Sequence, residues 1–246
     1  MPSSIVVLFI LTIISIIGSA YLDVSKYKDY SYISKLVFLV LLITMSLVGF
    51  LISFEGINDN HLLYGILMLI TIVLYSIKNI VILIINKFRP IDKGRLVLIE
   101  VYSSMGFYIL STIVMIIYFG YSFISAIFLF IYAIIFYSSI YLLKRKETKE
   151  KVLLFFIYAL IISFFASLPF TALFASNEST TRISIAAFLT AGTALIFISS
   201  LFRYGDAIFN TYPVHAKLSN AVTYILYSLG LTFMSLSITY IFLWSW

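Results

Sequence analysis

Four ionisable residues lie within, or at the edge of, long apolar runs of the sequence: Lys78, Glu100, Arg203 and Asp206. Charged side chains in hydrocarbon are costly, so they are normally paired or functional. Glu100 and Asp206 could serve as a general acid and a general base, because hydrolysis needs one group to protonate the leaving atom and another to activate water. The two cations could bind an anionic group. These residue types predict a site for a small polar or zwitterionic ligand.

The composition indicates whether water or lipid surrounds this chain. Apolar residues make up 63% of the 246 positions and charged residues 11%, whereas soluble domains have about a quarter charged residues. The sequence has no cysteine and two histidines, which excludes disulfides, thiol nucleophiles and histidine-rich metal centres. No motif for nucleotides, haem, metals or retinal is present. We therefore predict an integral, multi-pass membrane protein with no cofactor, no bound metal and no nucleic-acid partner.

Eight apolar runs are long enough to cross the ~30 Å hydrocarbon core, which takes about 20 residues. They cover residues 4–22, 34–54, 62–86, 96–119, 121–143, 152–175, 183–204 and 218–244. The sequence therefore predicts an all-α fold in which residues 1–246 form a single domain, a bundle of eight transmembrane helices. The apolar residues occur on every side of these helices, so the pattern does not predict which face of each helix is buried.

The basic residues predict the orientation. All of the 16 lysines and arginines except Lys78 and Arg182 lie in or beside odd-numbered loops, while the even-numbered loops contain Glu55, Asp59 and Glu178. By the positive-inside rule the odd loops are cytoplasmic and both termini are outside. Pro169 lies within the sixth run and predicts a kink there, and Gly120 predicts a tight hairpin between runs four and five.

This orientation brings the four ionisable residues to a similar depth, in the cytoplasmic third of the membrane. Two interpretations remain open. In one, Lys78 pairs with Glu100 and Arg203 with Asp206, as structural ion pairs. In the other, all four line one pocket that opens to the cytoplasmic leaflet and binds a lipid head group, together with the neighbouring Asn79.

The last fifth of the chain resembles a known family in its residues, and the whole chain resembles it in its layout. Gly192-Thr193-Ala194-Leu195-Ile196-Phe197-Ile198-Ser199-Ser200 has the spacing of a Gly-x-x-Leu-Phe-x-x-Ser-Asp motif. Pro213 and His215 follow in the loop, Thr223-Tyr224 opens the last span, and Lys35 opens the second. The chain in these respects is similar to the YhhN-like lysoplasmalogenase family of eight-span membrane proteins.

The resemblance implies a lysophospholipid-like substrate and an ether hydrolase that uses two aspartates. In this sequence the third span has no acidic residue, and Ser200 aligns with the second aspartate unless a shift lets Asp206 take its place. A His-x-x-Tyr pattern expected on the fourth span is replaced by Met105-Gly106-Phe107-Tyr108. In place of the two aspartates this chain offers Asp206 and Glu100 as the acid and base, a different geometry, so the sequence predicts a divergent member rather than an intact lysoplasmalogenase.

Two functions follow from the sequence. The first is a divergent member of this family that binds, and through Asp206 and Glu100 hydrolyses, a lysoplasmalogen-like lipid from the cytoplasmic leaflet. Its predicted ligand-binding residues are Lys78, Asn79, Arg203, Ser200 and Tyr224. The alternative is a membrane transporter or ligand-sensing bundle without enzymatic activity, in which the same charged residues form a structural or substrate-binding network.

Overall fold

A computed structural model of the chain describes residues 3–25, 30–53, 59–88, 93–143, 149–174, 180–209 and 216–239. Side chains in these ranges are described except at residues 53, 59–60, 93–97, 140–143, 149–152, 203–209, 216–219 and 239. This part of the chain contains helices and no strand. The helices are α1 (Ser3–Val24), α2 (Ser31–Ser53), α3 (Asp59–Phe88), α4 (Lys93–Phe119), α5 (Phe123–Leu143), α6 (Lys149–Ser167), α7 (Phe170–Leu173), α8 (Thr180–Phe209) and α9 (Ala216–Thr239).

Seven stretches of the described chain are long and apolar enough to cross a membrane, with α6 and α7 together forming one of them. The all-α class is confirmed, but the predicted count of eight spans is one too high by this measure. The difference lies in α5, which is helical from Phe123 to Leu143 but whose side chains are described only as far as Ser139, so the part that this measure covers is short.

The surface of the bundle is apolar. Large apolar side chains are exposed on the long helices, for example Ile14, Leu74 and Phe130, the last 66% exposed. Contiguous apolar surface of this extent is stable only in contact with lipid. The chain is therefore a multi-pass integral membrane protein, as the composition predicts.

Helix α9 lies at the centre of the bundle, in contact with α1, α2, α3 and α8. Its closest neighbour is α8, because two glycines face each other across the contact. A Cβ atom built on Gly192 would lie 2.7 Å from the carbonyl oxygen of Gly230, and one on Gly230 would lie 2.6 Å from Cγ1 of Ile196. Small residues allow this close approach, which supplies van der Waals contact where lipid provides no hydrophobic driving force.

Hydroxyl groups join the helices inside the bundle. Ser46 on α2 lies 2.7 Å from Ser235 on α9, hydroxyl to hydroxyl, and the Tyr64 hydroxyl on α3 lies 2.6 Å from that of Ser237. These groups are buried, so each hydrogen bond satisfies polar atoms that have no access to water.

Two backbone features lie where the sequence predicts them. The helix is interrupted at Leu168 and Pro169, between α6 and α7, because proline has no N–H to donate and its ring obstructs the preceding turn. Gly120 has φ +77° between α4 and α5, a conformation that glycine adopts without strain, and it makes the turn between them. Among the described residues α4 packs mainly on α3 and α6, and α5 on α6, so the two helices do not form the tight hairpin that was predicted.

Candidate functional site

A cavity of about 180 Å³ lies where α2, α3, α4 and α9 meet. It is at the end of the bundle that the loop charges predict to be cytoplasmic. Helices α2, α3 and α9 each contribute residues three and four positions apart, which lie on one face of a helix, and α4 contributes Glu100. The lining of this four-helix cavity consists of Lys35, Phe38, Leu39, Tyr75, Asn79, Ile82, Leu83, Glu100, Tyr224, Tyr227, Ser228 and Leu231.

An ion pair holds the cation of the four-helix cavity in place. Nζ of Lys35 lies 2.6 Å from a carboxylate oxygen of Asp23, at the end of α1. The Ser31 hydroxyl donates to the same carboxylate group. The ammonium also lies 5.1 Å from the centre of the Tyr224 ring, within the range of a cation–π interaction. Lys35 is therefore held against one wall of the cavity.

Tyrosines form the aromatic walls. The Tyr227 hydroxyl donates to the hydroxyl of Tyr75, which links α9 to α3, and the two ring centres are 6.0 Å apart. On the opposite side the Phe38 and Tyr224 rings meet edge to face at 6.1 Å. The buried Ser228 hydroxyl lies one helical turn from Tyr224 and interacts with its hydroxyl.

Glu100 provides the negative charge of the four-helix cavity, and Asn79 lies beside it on α3. The predicted site residues Glu100, Asn79 and Tyr224 are thus brought together, with Lys35 opposite. Among the described residues that line the cavity, Glu100 is the one carboxylate. The cavity therefore combines one acidic and one basic group with aromatic rings, which suits a zwitterion better than it suits acid–base chemistry by two carboxylates.

Lys78 lies in a different place, an outward-facing groove between α3 and α4 of about 190 Å³. Its Nζ donates to the Ser103 hydroxyl at 2.9 Å and lies 4.4 Å from the centre of the Tyr75 ring. This α3–α4 groove is lined by Thr71, Leu74, Tyr75, Lys78, Ser103, Gly106, Phe107 and Leu110. Tyr75 lines both the α3–α4 groove and the four-helix cavity. Lys78 and Glu100, expected in one pocket, thus line two neighbouring ones.

Ser200 lies in the core, 2% exposed. Its hydroxyl is 3.2 Å from that of Tyr108 and 3.1 Å from that of Tyr158, and the two tyrosine hydroxyls are 3.2 Å apart. These three hydroxyls from α8, α4 and α6 bond one another in a buried triangle, and Ser200 does not line the four-helix cavity. Its predicted role in ligand binding stays a prediction.

Arg203 and Asp206 belong to the last two turns of α8, whose backbone is helical through Phe209. Their side chains lie outside the described ones, so the predicted catalytic role of Asp206 and the ligand-binding role of Arg203 stay predictions.

A larger cavity, of about 500 Å³, lies at the opposite end of the bundle between α3, α4 and α8. Its polar groups bind one another: the Tyr118 hydroxyl bonds Nδ1 of His61, and Arg182 donates to the Tyr118 carbonyl and lies over its ring. A cation at the carbonyl end of α4 stabilises that helix end. This arrangement has a structural explanation, so the four-helix cavity is the better candidate site.

The sequence did not predict the ion pair between Asp23 and Lys35, or that Tyr227 lines the cavity. It indicated Lys35 only as a loop charge and as part of a family pattern. The available signal was Asp23, an acid that closes an apolar helix just before three lysines, a position where a carboxylate can bind one of them.

Comparison of the chain with protein-family models, with curated proteins and with solved structures found no match.

Proposed function

We propose that this membrane protein binds the zwitterionic head group of a single-chain phospholipid in the four-helix cavity. The observation that carries the proposal is the presence of Lys35 and Glu100 in one aromatic cavity between membrane helices. The resemblance to the YhhN-like lysoplasmalogenase family points to the same ligand class.

The charges of the cavity match those of such a head group. A phosphate would interact with the ammonium of Lys35, while a quaternary or primary ammonium would interact with Glu100 and with the rings of Tyr75 and Tyr227. Aromatic rings attract cations through their quadrupole, and desolvated pairs contribute about 2 kcal/mol. Asp23 neutralises part of the Lys35 charge, so an anion without an accompanying cation would be bound less favourably than a zwitterion.

The size of the cavity also supports a head group. A volume of about 180 Å³ corresponds to roughly six water molecules at about 30 Å³ each. That is enough for a phosphate and an ammonium but not for a whole lipid, so the acyl chain would extend into the bilayer. The predicted orientation gives access from the cytoplasmic leaflet.

Hydrolysis is the second part of the proposal and depends on Asp206. Vinyl-ether cleavage needs a proton donor for the enol ether and a base for water, and Glu100 supplies one of these. The alternative, a sensing or transport protein without turnover, is favoured by the single carboxylate among the described lining residues of the cavity.

Binding is tested with the purified chain in detergent, by native mass spectrometry with lysophosphatidylcholine and with lysophosphatidic acid of the same acyl chain. The second lipid lacks the ammonium. We expect the wild-type chain to prefer the zwitterion, and Glu100→Gln to reduce that preference about tenfold, since one charged contact is lost. Equal binding of both lipids by the wild-type chain would contradict the proposal.

Turnover is tested separately by incubating the protein with a lysoplasmalogen and measuring aldehyde release. Release by the wild-type chain that is lost in Asp206→Asn, with lipid binding retained, would support an enzyme. Binding without aldehyde release would support the sensing or transport alternative.

A further inference from the structure

The α3–α4 groove faces lipid and has a polar end and an apolar end. The two helices run antiparallel, so Lys78 and Ser103 meet at the end nearer the cytoplasmic side, while Leu110 lies about two turns deeper. Leu74 and Leu110 are 54% and 46% exposed. The groove therefore has the polarity of a membrane lipid, with a charged group above an apolar stretch.

Gly106 is the reason that the groove exists. A Cβ atom built on Gly106 would meet nothing within 4 Å, so this glycine does not serve helix packing as Gly192 and Gly230 do. Glycine also weakens a helix relative to alanine. The absent side chain leaves a space along α4, beside the ring of Phe107, that an acyl chain would fill.

Lys78 lies at a depth where it reaches a phosphate. Helix α3 has 30 residues and is about 45 Å long, against about 30 Å of hydrocarbon, so it extends roughly 7 Å beyond each side if it is centred. Lys78 is ten residues before Phe88, on the order of 15 Å from that helix end. Its Cα atom would then lie about 8 Å below the interface, a distance that its side chain and the lipid's glycerol region can span.

We infer that the α3–α4 groove binds one anionic phospholipid of the surrounding bilayer, with an acyl chain packed over Gly106 and a phosphate oxygen on Nζ of Lys78. Lys78 carries the only charge among the described residues that line the groove, so the site favours a lipid with net negative charge. The site is separate from the four-helix cavity, and its test does not depend on the proposed function.

The charge of Lys78 is tested by native mass spectrometry of the full chain released from nanodiscs that contain equal amounts of phosphatidylglycerol and phosphatidylcholine. We expect the wild-type chain to retain one phosphatidylglycerol preferentially. Lys78→Met should reduce that preference about tenfold, and Lys78→Arg should keep it. Lys87→Met is the matched control, because Lys87 lies on the same helix and also over a tyrosine ring, that of Tyr32, but outside the groove.

The space over Gly106 is tested by a graded series. Gly106→Ala should retain most lipid, whereas Gly106→Leu should lose both phospholipids from the tight site while the unfolding temperature without added lipid does not fall. If Gly106→Leu does not fold, the lysine variants still decide the proposal. Equal losses in Lys78→Met and Lys87→Met would overturn it, as would undiminished retention in a folded Gly106→Leu.

Discussion

Replacing Gly192 by alanine should destabilise the bundle, although alanine is the better helix former. The added Cβ would lie 2.7 Å from the Gly230 carbonyl oxygen, 3.0 Å from Cγ of Met234 and 3.2 Å from the Met234 backbone nitrogen. The Met234 side chain can rotate away, but the two backbone atoms cannot, so α8 and α9 must separate by several tenths of an ångström along their closest contact. Overpacking of this kind costs about 1–3 kcal/mol.

The net effect follows from two opposing contributions. Helix propensity favours alanine by up to about 1 kcal/mol, so we expect Gly192→Ala to lower the free energy of unfolding by about 1–2 kcal/mol. Gly106→Ala provides the matched control, because its Cβ meets open space and the propensity gain is unopposed. Unfolding in mixed micelles of dodecyl maltoside and dodecyl sulfate, followed by far-ultraviolet circular dichroism, measures both. Equal effects of the two substitutions would refute the packing argument.

Two further predictions concern polar contacts. Asp23→Asn should lower the free energy of unfolding by about 1–3 kcal/mol, between the values for surface and buried ion pairs, because the Lys35 and Asp23 side chains are 24% and 13% exposed. A double-mutant cycle with Lys35→Met measures the coupling of the pair, and a coupling energy near zero would contradict the prediction. Tyr64→Phe should cost about 0.5–1.5 kcal/mol, because Ser237 still donates to the Met234 carbonyl at 2.6 Å. The same unfolding assay measures it, and a loss well above this range would mean that Ser237 is stranded.

The class of the fold was predictable because it depends on the number and length of apolar runs, which can be counted along the chain. The length of an apolar run decides whether it enters a bilayer, and Gly120 and Pro169 set the backbone conformation at their own positions. Helix α5, Phe123–Leu143, also follows the apolar run predicted for it over residues 121–143. These features need no knowledge of neighbouring helices.

The candidate site was predictable only in depth. Counting residues along the helices gives Lys78 and Glu100 a similar depth, but it does not give the direction in which each side chain points. Because apolar residues surround each helix, the sequence has no stripe that marks the buried face. The structure places Glu100 in the four-helix cavity and Lys78 in the α3–α4 groove, with Tyr75 lining both. Ser46 and Ser235 meet across 189 positions of sequence, and no local pattern indicates such a pair.

The central position of α9 has a consequence for biosynthesis. This helix contacts α1, α2, α3 and α8, all of which leave the ribosome before it does. Until α9 is inserted, the hydroxyls of Ser46 and Tyr64 have no Ser235 or Ser237 to bind, and the four-helix cavity lacks a wall. Before α9 is inserted, α1, α2, α3 and α8 therefore lack part of their packing and are accessible to chaperones and membrane proteases. Nascent chains arrested before residue 216 should be degraded faster than chains that include α9.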